Sequence, residues 1–369
     1  MNRKRLLIRA PNWLGDCLLT LPAIDALRRA LPDAHFTVLA RETLAGMWQM
    51  TPVDDMMPFA CRPGLAGIGD RRACARLLKA ARFDAALVLP NSFDAALVPF
   101  LARIPDRAGW ATNCRSLLLT RRFTCPPQFA EVSQARKYVN LVEQWLGRTV
   151  DATLDVRLRI PDDVAQRVQD AKAAMRPLLI GVNPGSTYGP AKRWIAARFA
   201  EMARHAHGLF EAQIILFGGP GDEAVCAEVA QAITRDAADA ASWCTNLAGK
   251  TTLKELAAWL AACECLVTND TGTMHMAAAV GTQVVAIFGP TDWRTTAPLG
   301  ARHALVRVPV ECAPCLERSC PRDHRCMKEV TTEMVLGALA GACRRTHGGG
   351  ATSSAQAGRA TTAPATQNP

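Results

Sequence analysis

Cys265-Leu-Val-Thr-Asn-Asp-Thr-Gly-Thr-Met-His-Met-Ala-Ala-Ala279 is the stretch on which the reading of this chain turns. An apolar strand over 265–268 passes straight into a tight turn, and a helix start follows over 275–279. Gly272 lets the backbone come close to a ligand. Asp270, Thr271 and Thr273 suit the cap of the following helix, whose free N–H groups and dipole favour an anion. His275 lies near that helix start and can donate to a phosphate oxygen. The same residues also make an ordinary capped turn, so the stretch alone identifies an anion grip and no reaction.

Outward from this turn the same unit repeats. Strands are expected over 5–8, 35–39, 56–59, 85–89, 107–109, 178–183, 213–217, 246–247 and 284–288. Helical spacing of apolar residues covers 17–31, 43–50, 71–81, 95–102, 138–146, 194–208, 224–234 and 253–263. Strand–helix alternation of this kind gives parallel sheets with helices on both faces. The expectation is an α/β chain of two doubly wound domains, 1–160 and 161–345. The boundary is set near Pro161, where Val156-Arg-Leu-Arg-Ile160 alternates like a strand. Ligands of such sheets bind outside the carboxyl ends of the strands, so two facing domains make a cleft. From Thr346 the chain is rich in Gly, Ala, Ser and Thr, and 346–369 is expected to be a disordered tail.

Composition excludes several classes. The 369 residues are 49% hydrophobic, enough for two cores. No run of about 18 apolar residues occurs, so no membrane-spanning helix is expected. The basic start is followed by too short an apolar stretch for a secretory signal. The 14 Cys are scattered, many in apolar surroundings, and read as reduced thiols of a cytoplasmic protein. Residues 1–160 carry 23 Lys and Arg against 14 Asp and Glu, whereas 161–369 carry 20 against 19. The basic half suits an anionic partner such as a phosphorylated glycolipid, a membrane surface or nucleic acid, or it is a solubilising surface. An aromatic content of 6% and the lack of a binding motif argue against nucleic acid.

Four further groups of residues bear on chemistry. Asn183-Pro-Gly-Ser-Thr-Tyr-Gly-Pro-Ala-Lys-Arg-Trp194 also joins a strand to a helix. Ser186 and Thr187 offer hydroxyls and Lys192 a mobile cation, which suit the charge that develops on a departing diphosphate. A turn with a solvated Lys-Arg pair is the competing reading. Arg9-Ala-Pro-Asn-Trp-Leu-Gly-Asp16 has a single glycine, unlike a dinucleotide fingerprint. Asp16 there can take a proton from an attacking hydroxyl or simply cap a helix. Cys312, Cys315, Cys320 and Cys326, with His324 among them, can hold a structural zinc, although packing thiols are the favoured reading. Asp222 and Glu223 follow a strand, where a carboxylate meets ribose hydroxyls or a helix N-terminus. Asn91, Ser92, Arg103, Arg107, Arg115, Arg121, Arg122, Arg136 and Lys137 can line the path of an anionic acceptor or merely be solvated.

Six motifs in order carry a resemblance. They are Pro11-Asn-Trp-Leu-Gly-Asp16, Val88-Leu-Pro-Asn-Ser-Phe93, the 183–194 loop, Asn246-Leu-Ala-Gly249, Thr268-Asn-Asp-Thr-Gly-Thr-Met-His275 and Phe288-Gly-Pro-Thr291. Together they resemble the bacterial lipopolysaccharide heptosyltransferases of glycosyltransferase family nine. The resemblance implies a GT-B fold, two Rossmann-like domains around a central cleft, with the acceptor on the first and the donor on the second. It implies ADP-L-glycero-β-D-manno-heptose as donor and heptosyl-Kdo2-lipid A as acceptor, with inversion at the anomeric carbon and no catalytic metal. Asp16 becomes the base. Ser186, Thr187, Lys192, Asp270, Thr271, Gly272 and His275 become contacts to the donor's diphosphate and sugar, and Glu223 a contact to its ribose. It further implies peripheral contact with the cytoplasmic face of the inner membrane. Another core acceptor, or a non-catalytic nucleotide-sugar-binding module, are the alternatives.

Overall fold

The computed structural model describes residues 4–347 apart from 61, 63, 156, 301 and 302. Twelve strands form two six-stranded sheets. The first holds β1 (Arg5–Arg9), β2 (His35–Ala40), β3 (Asp55–Pro58), β4 (Ala85–Val88), β5 (Asp106–Trp110) and β6 (Arg121–Phe123) in the order β3-β2-β1-β4-β5-β6. The second holds β7 (Leu179–Asn183), β8 (Gln213–Leu216), β9 (Cys244–Asn246), β10 (Cys265–Asn269), β11 (Gln283–Ile287) and β12 (Ala304–Val306) in the order β12-β11-β10-β7-β8-β9. Every pairing is parallel. The central strands β1, β4, β7, β10 and β11 are buried almost end to end, as parallel strands covered on both faces must be. Each sheet reverses its winding once, between β1 and β4 and between β7 and β10. Loops after those strands leave in opposite directions and open a crevice at the carboxyl edge. The expected α/β, doubly wound pair of sheets is therefore present.

The helix expected over 17–31 is two helices, Leu14–Leu19 and Leu21–Ala30. Pro22 has no N–H to continue the ladder, and the Thr20 hydroxyl bonds back to the Cys17 carbonyl at 2.6 Å. Asp16 thus stands in the first turn of a short helix of its own. The expected strand over 156–160 is absent among the described residues, and Val156 lies outside them. Adjacent peptides there serve different domains instead. The Leu158 N–H donates to the Ala279 carbonyl at 2.9 Å, and the Arg159 N–H donates to the Met50 carbonyl at 2.8 Å. The helix Thr332–His347 carries the chain two residues into the segment read as a tail, and residues 348–369 lie outside the described part.

One apolar core runs across both domains. It includes Leu6 and Ile8 of the first sheet, Leu18 and Met274 at the junction, and Leu266 and Phe288 of the second domain. A second cluster, with Trp194, Phe199 and Trp243, fills the far side of the second sheet. The shared core sets the two crevices edge to edge.

Candidate active site

The loops at the two points of reversal meet through glycines. A Cβ on Gly15 would lie 2.8 Å from Cδ2 of His275, and one on Gly272 would lie 2.9 Å from Cβ of Leu14. Only hydrogen atoms fit between the start of the helix Leu14–Leu19 and that of the helix Gly272–Val280. This contact carries Asp16, the next residue, to the edge of the second domain. Burial pushes the Asp16 carboxyl above its ordinary range, the Lys192 cation partly offsets that, and the charge of Asp270 adds to it. Asp16 is thus near enough to Lys192 and Asp270 for both charges to act on it.

On the second domain Lys192 Nζ lies 2.7 Å from Asp270 Oδ2, and both side chains are largely buried. Thr291 Oγ1 donates to the same oxygen at 2.7 Å. The Lys192 ammonium also sits 4.6 Å from the centroid of the Tyr188 ring. Lys192 is thereby held at the crevice mouth by one carboxylate and one aromatic face. The Thr271 side chain caps its helix by accepting from Met274 N–H at 3.5 Å. Ser186 Oγ is buried and has no hydrogen-bond partner among the described residues. Such an orphan costs about 1–3 kcal/mol unless a ligand or solvent satisfies it. Thr187 is exposed at the same loop.

Three side chains hold this arrangement in roles that the sequence reading did not give them. Asn269 is fully buried. Its Oδ1 accepts from Trp194 N–H at 3.0 Å, and its Nδ2 donates to the carbonyls of Pro184 and Gly185 at 2.9 and 3.2 Å. Both ends of the 184–194 loop are thus tied to the end of β10. Asp222 accepts from the N–H groups of Ser186 at 3.2 Å and Gly219 at 3.3 Å. It fills the place a Cβ on Gly185 would need. Burial raises its pKa, offset by those N–H groups and by Arg193, so Asp222 is spent on the loop. Glu223 is exposed beside Gly249, where a Cβ would approach its Oε1 to 2.9 Å, and its Oε2 accepts from Gly221 N–H at 2.7 Å. Thr291, the third, belonged to a quoted motif that carried no role.

Two expected residues stand differently from the sequence reading. His275 is buried, and desolvation lowers its pKa to about 4, so at neutral pH it is an uncharged ring packed on Gly15. Its Nδ1 has no partner among the described residues. Arg115 is not on any acceptor path. It is fully buried, and it donates to the Trp110 carbonyl at 2.7 Å, to the Pro90 carbonyl and to Asn91 Oδ1 at 3.2 Å. Burial brings its pKa down to about 10. Ser92 caps the helix Phe93–Leu101. Among the described residues no three His, Cys, Asp or Glu side chains are gathered as a metal ion would need. The 312–326 segment braces the 184–194 loop. Its Arg318 and Leu316 carbonyls accept from Ala191 N–H at 3.1 Å and Tyr188 O–H at 2.5 Å, and His324 Nε2 lies 2.8 Å from the Ala191 carbonyl.

The profile of glycosyltransferase family 9 (heptosyltransferase) matches residues 71–325. The chain belongs to glycosyltransferase family 9. It is 32% identical to lipopolysaccharide heptosyltransferase 2 of Salmonella typhimurium, over 82% of this chain and 88% of that protein. It is 30% identical to lipooligosaccharide heptosyltransferase 2 of Haemophilus influenzae, over 90% of this chain and 97% of that one. The solved structure of ADP-heptose LPS heptosyltransferase II from E. coli superposes with a TM-score of 0.79 at 29% identity, covering 93% of this chain and 99% of that one. The two facing wound sheets are thus the GT-B fold of this family 9 glycosyltransferase.

Proposed function

We infer that the chain is an inverting glycosyltransferase that moves L-glycero-D-manno-heptose from ADP-heptose to the first heptose of the lipopolysaccharide inner core. The relatives that support it bear the name heptosyltransferase 2. The observation that carries the chemistry is the apposition of Asp16 to the Lys192–Asp270 pair across the Gly15–Gly272 contact. In this reading 161–345 holds the donor. Ser186, Thr187, Lys192 and the N–H groups at the start of Gly272–Val280 face the diphosphate, with Asp270, Thr271 and His275 behind them and Glu223 toward the ribose. The 1–160 domain holds the acceptor. An acceptor hydroxyl attacks the anomeric carbon from the face opposite the diphosphate, and Asp16 takes its proton. The carbon–oxygen bond to the β-phosphate breaks, its electron pair stays on the departing ADP, and Lys192 and the helix N–H groups stabilise that charge.

The reading assigns this compensation to the chain's own cations, so ADP release is expected to persist in EDTA. The four cysteines are assigned as free thiols rather than zinc ligands. The acceptor is anchored in a bilayer, which places the first domain at the cytoplasmic face of the inner membrane. Support comes from Leu117, 80% exposed, which lies on the turn packed against the helix Phe93–Leu101 with its exposed Phe100 and Leu101, with Arg103, Arg121 and Arg122 close by in sequence. Among the described residues no helix is long and apolar enough to cross a membrane.

The test is ADP release with ADP-heptose and a heptose-terminated acceptor, in wild type and Asp16→Asn. The variant should lose about 100- to 10,000-fold in kcat while binding ADP normally. Because burial raises the Asp16 pKa, the wild-type rate should climb with pH through a midpoint above the usual carboxylate range. Near-full turnover by Asp16→Asn refutes the base assignment. Binding of ADP with no transfer to any acceptor would favour the nucleotide-sugar-binding alternative.

A further inference from the structure

A cavity of about 300 Å³ lies beyond Thr291, between the loop that follows β11 and the segment that follows β12. That volume admits one sugar unit. Its wall includes Thr291, Trp293, Arg294, Arg307, Val310 and Pro314. Phe288 and Arg307 come directly after their strands, so the cavity sits at the carboxyl edge where this fold binds ligands. Glu223 follows β8, three strand steps away across the sheet. At about 4.8 Å per step, the nucleoside end of a donor held by Glu223 lies about 14 Å from here.

The two arginines of the cavity are not equivalent. Arg294 is spent, since it bonds both oxygens of Asp292 at 2.9 and 3.0 Å and pairs with Glu131 of the first domain at 3.0 Å. Arg307 has no carboxylate or carbonyl partner among the described residues. Its guanidinium lies over the Trp293 ring, 4.9 Å from the centroid. Stacking on an indole orients a guanidinium while leaving its fork of N–H donors open, and that fork matches a carboxylate or phosphate. The rim faces the first domain: besides the Glu131 bridge, Asp292 is held below its ordinary range first by Arg294 and further by the charge of Lys137. Thr291 joins the cavity to the donor side through its 2.7 Å bond to Asp270.

We propose that this cavity is an acceptor subsite on the donor domain, taking an anionic sugar unit whose carboxylate or phosphate is read by Arg307. The inference rests on the glycosyl transfer proposed above. The donor's heptose is neutral and has no use for an unpaired guanidinium, whereas the acceptor glycan carries acid sugars and phosphates. The acceptor therefore spans both domains, with its hydroxyl at Asp16 and an anionic neighbour at Arg307. Specificity for the charged core is then built into the half of the molecule that also holds the donor.

The test uses the full chain, ADP-heptose and the deacylated acceptor glycan, with ADP release as readout. Arg307→Gln should raise the acceptor KM about tenfold and leave kcat and the donor KM within about twofold. Arg307→Lys should recover part of the loss. Two modified acceptors, one with carboxylates reduced to alcohols and one treated with phosphatase, identify the group. With the right one, wild type shows the raised KM and Arg307→Gln adds nothing further. The inference is overturned if the Arg307→Gln penalty persists with both modified acceptors, if the donor KM rises instead, or if no KM changes. Failure of wild type to release ADP with any acceptor would sink the transfer reading itself, which is a separate outcome.

Discussion

Replacing Gly15 by alanine would set a methyl carbon 2.8 Å from Cδ2 and 3.4 Å from Nε2 of His275, with Cα of Gly272 at 3.5 Å. The ring cannot swing away cheaply, because it is 6% exposed. Position 15 is helical, so alanine favours the first domain's own helix by up to about 1 kcal/mol. The penalty falls instead on the apposition of the domains, at about 1–3 kcal/mol for a methyl forced into a packed contact. If turnover requires that apposition, kcat/KM should fall about 5- to 150-fold. ADP affinity, measured by calorimetry, should stay within about twofold, since the methyl touches none of Ser186, Lys192 or Asp270. The assay is ADP release in a double-mutant cycle with His275→Ala. In that background the close ring contacts are gone and Cα of Gly272 lies at an ordinary 3.5 Å, so Gly15→Ala should then cost less than about twofold. An undiminished penalty would mean that the methyl acts by displacing Asp16, and a Gly15→Ala enzyme with wild-type kcat/KM would refute the closed contact outright.

Three further outcomes follow from the same geometry. Lys192→Gln should lower kcat about 100-fold and destabilise the fold by up to about 3–5 kcal/mol, because it strands the Asp270 carboxylate; adding Asp270→Asn should restore the melting temperature and leave kcat low. Asn269→Ala orphans the Trp194 N–H and two loop carbonyls, and a loss of about 2–4 kcal/mol in urea unfolding is expected, with weaker ADP binding. His275 is neutral in the fold with a pKa near 4 against 6.5 in the unfolded chain, so the unfolded state binds more protons between those values. Stability from this residue is therefore complete above pH 6.5 and drains away as pH falls toward 4, by about 3 kcal/mol at most. Urea midpoints of wild type and His275→Gln should converge over that window, and parallel curves would count against it.

What sequence made legible was the pair of strand–turn–helix units that meet at the site. Gly, Asp, Ser and Thr at the ends of apolar runs mark where a parallel sheet hands its chain to a helix. Both β7 and β10 end that way. It missed the helix Asp162–Lys172 outright, and other elements it missed have signals too short or too even. β6 and β12 have three residues each, fewer than any periodic test needs, and the Ala- and Gly-rich helix Thr332–His347 blurs into the composition of the tail. Side-chain duties were legible only where the chemistry is local. Asn269 stands next to Asp270 in the quoted turn, yet its partners are 75 to 85 residues away, and nothing in the spacing reports them. Arg115 shows the opposite error, because charge alone suggests a surface, while a cage of carbonyls lets a guanidinium be buried.

The divided loyalty of Leu158 and Arg159 has a mechanical consequence. One peptide group is fastened to Ala279 and the next to Met50, so the linker offers any relative motion of the two halves a fulcrum barely one residue long. Ala279 lies seven residues along the helix from Gly272, or about 10 Å at 1.5 Å per residue. A swing of about 12° about that fulcrum would part the glycine contact by only about 2 Å, while points farther along the lever would travel in proportion. A hinge at that point would open the outer rim of the cleft more than the glycine contact beside it.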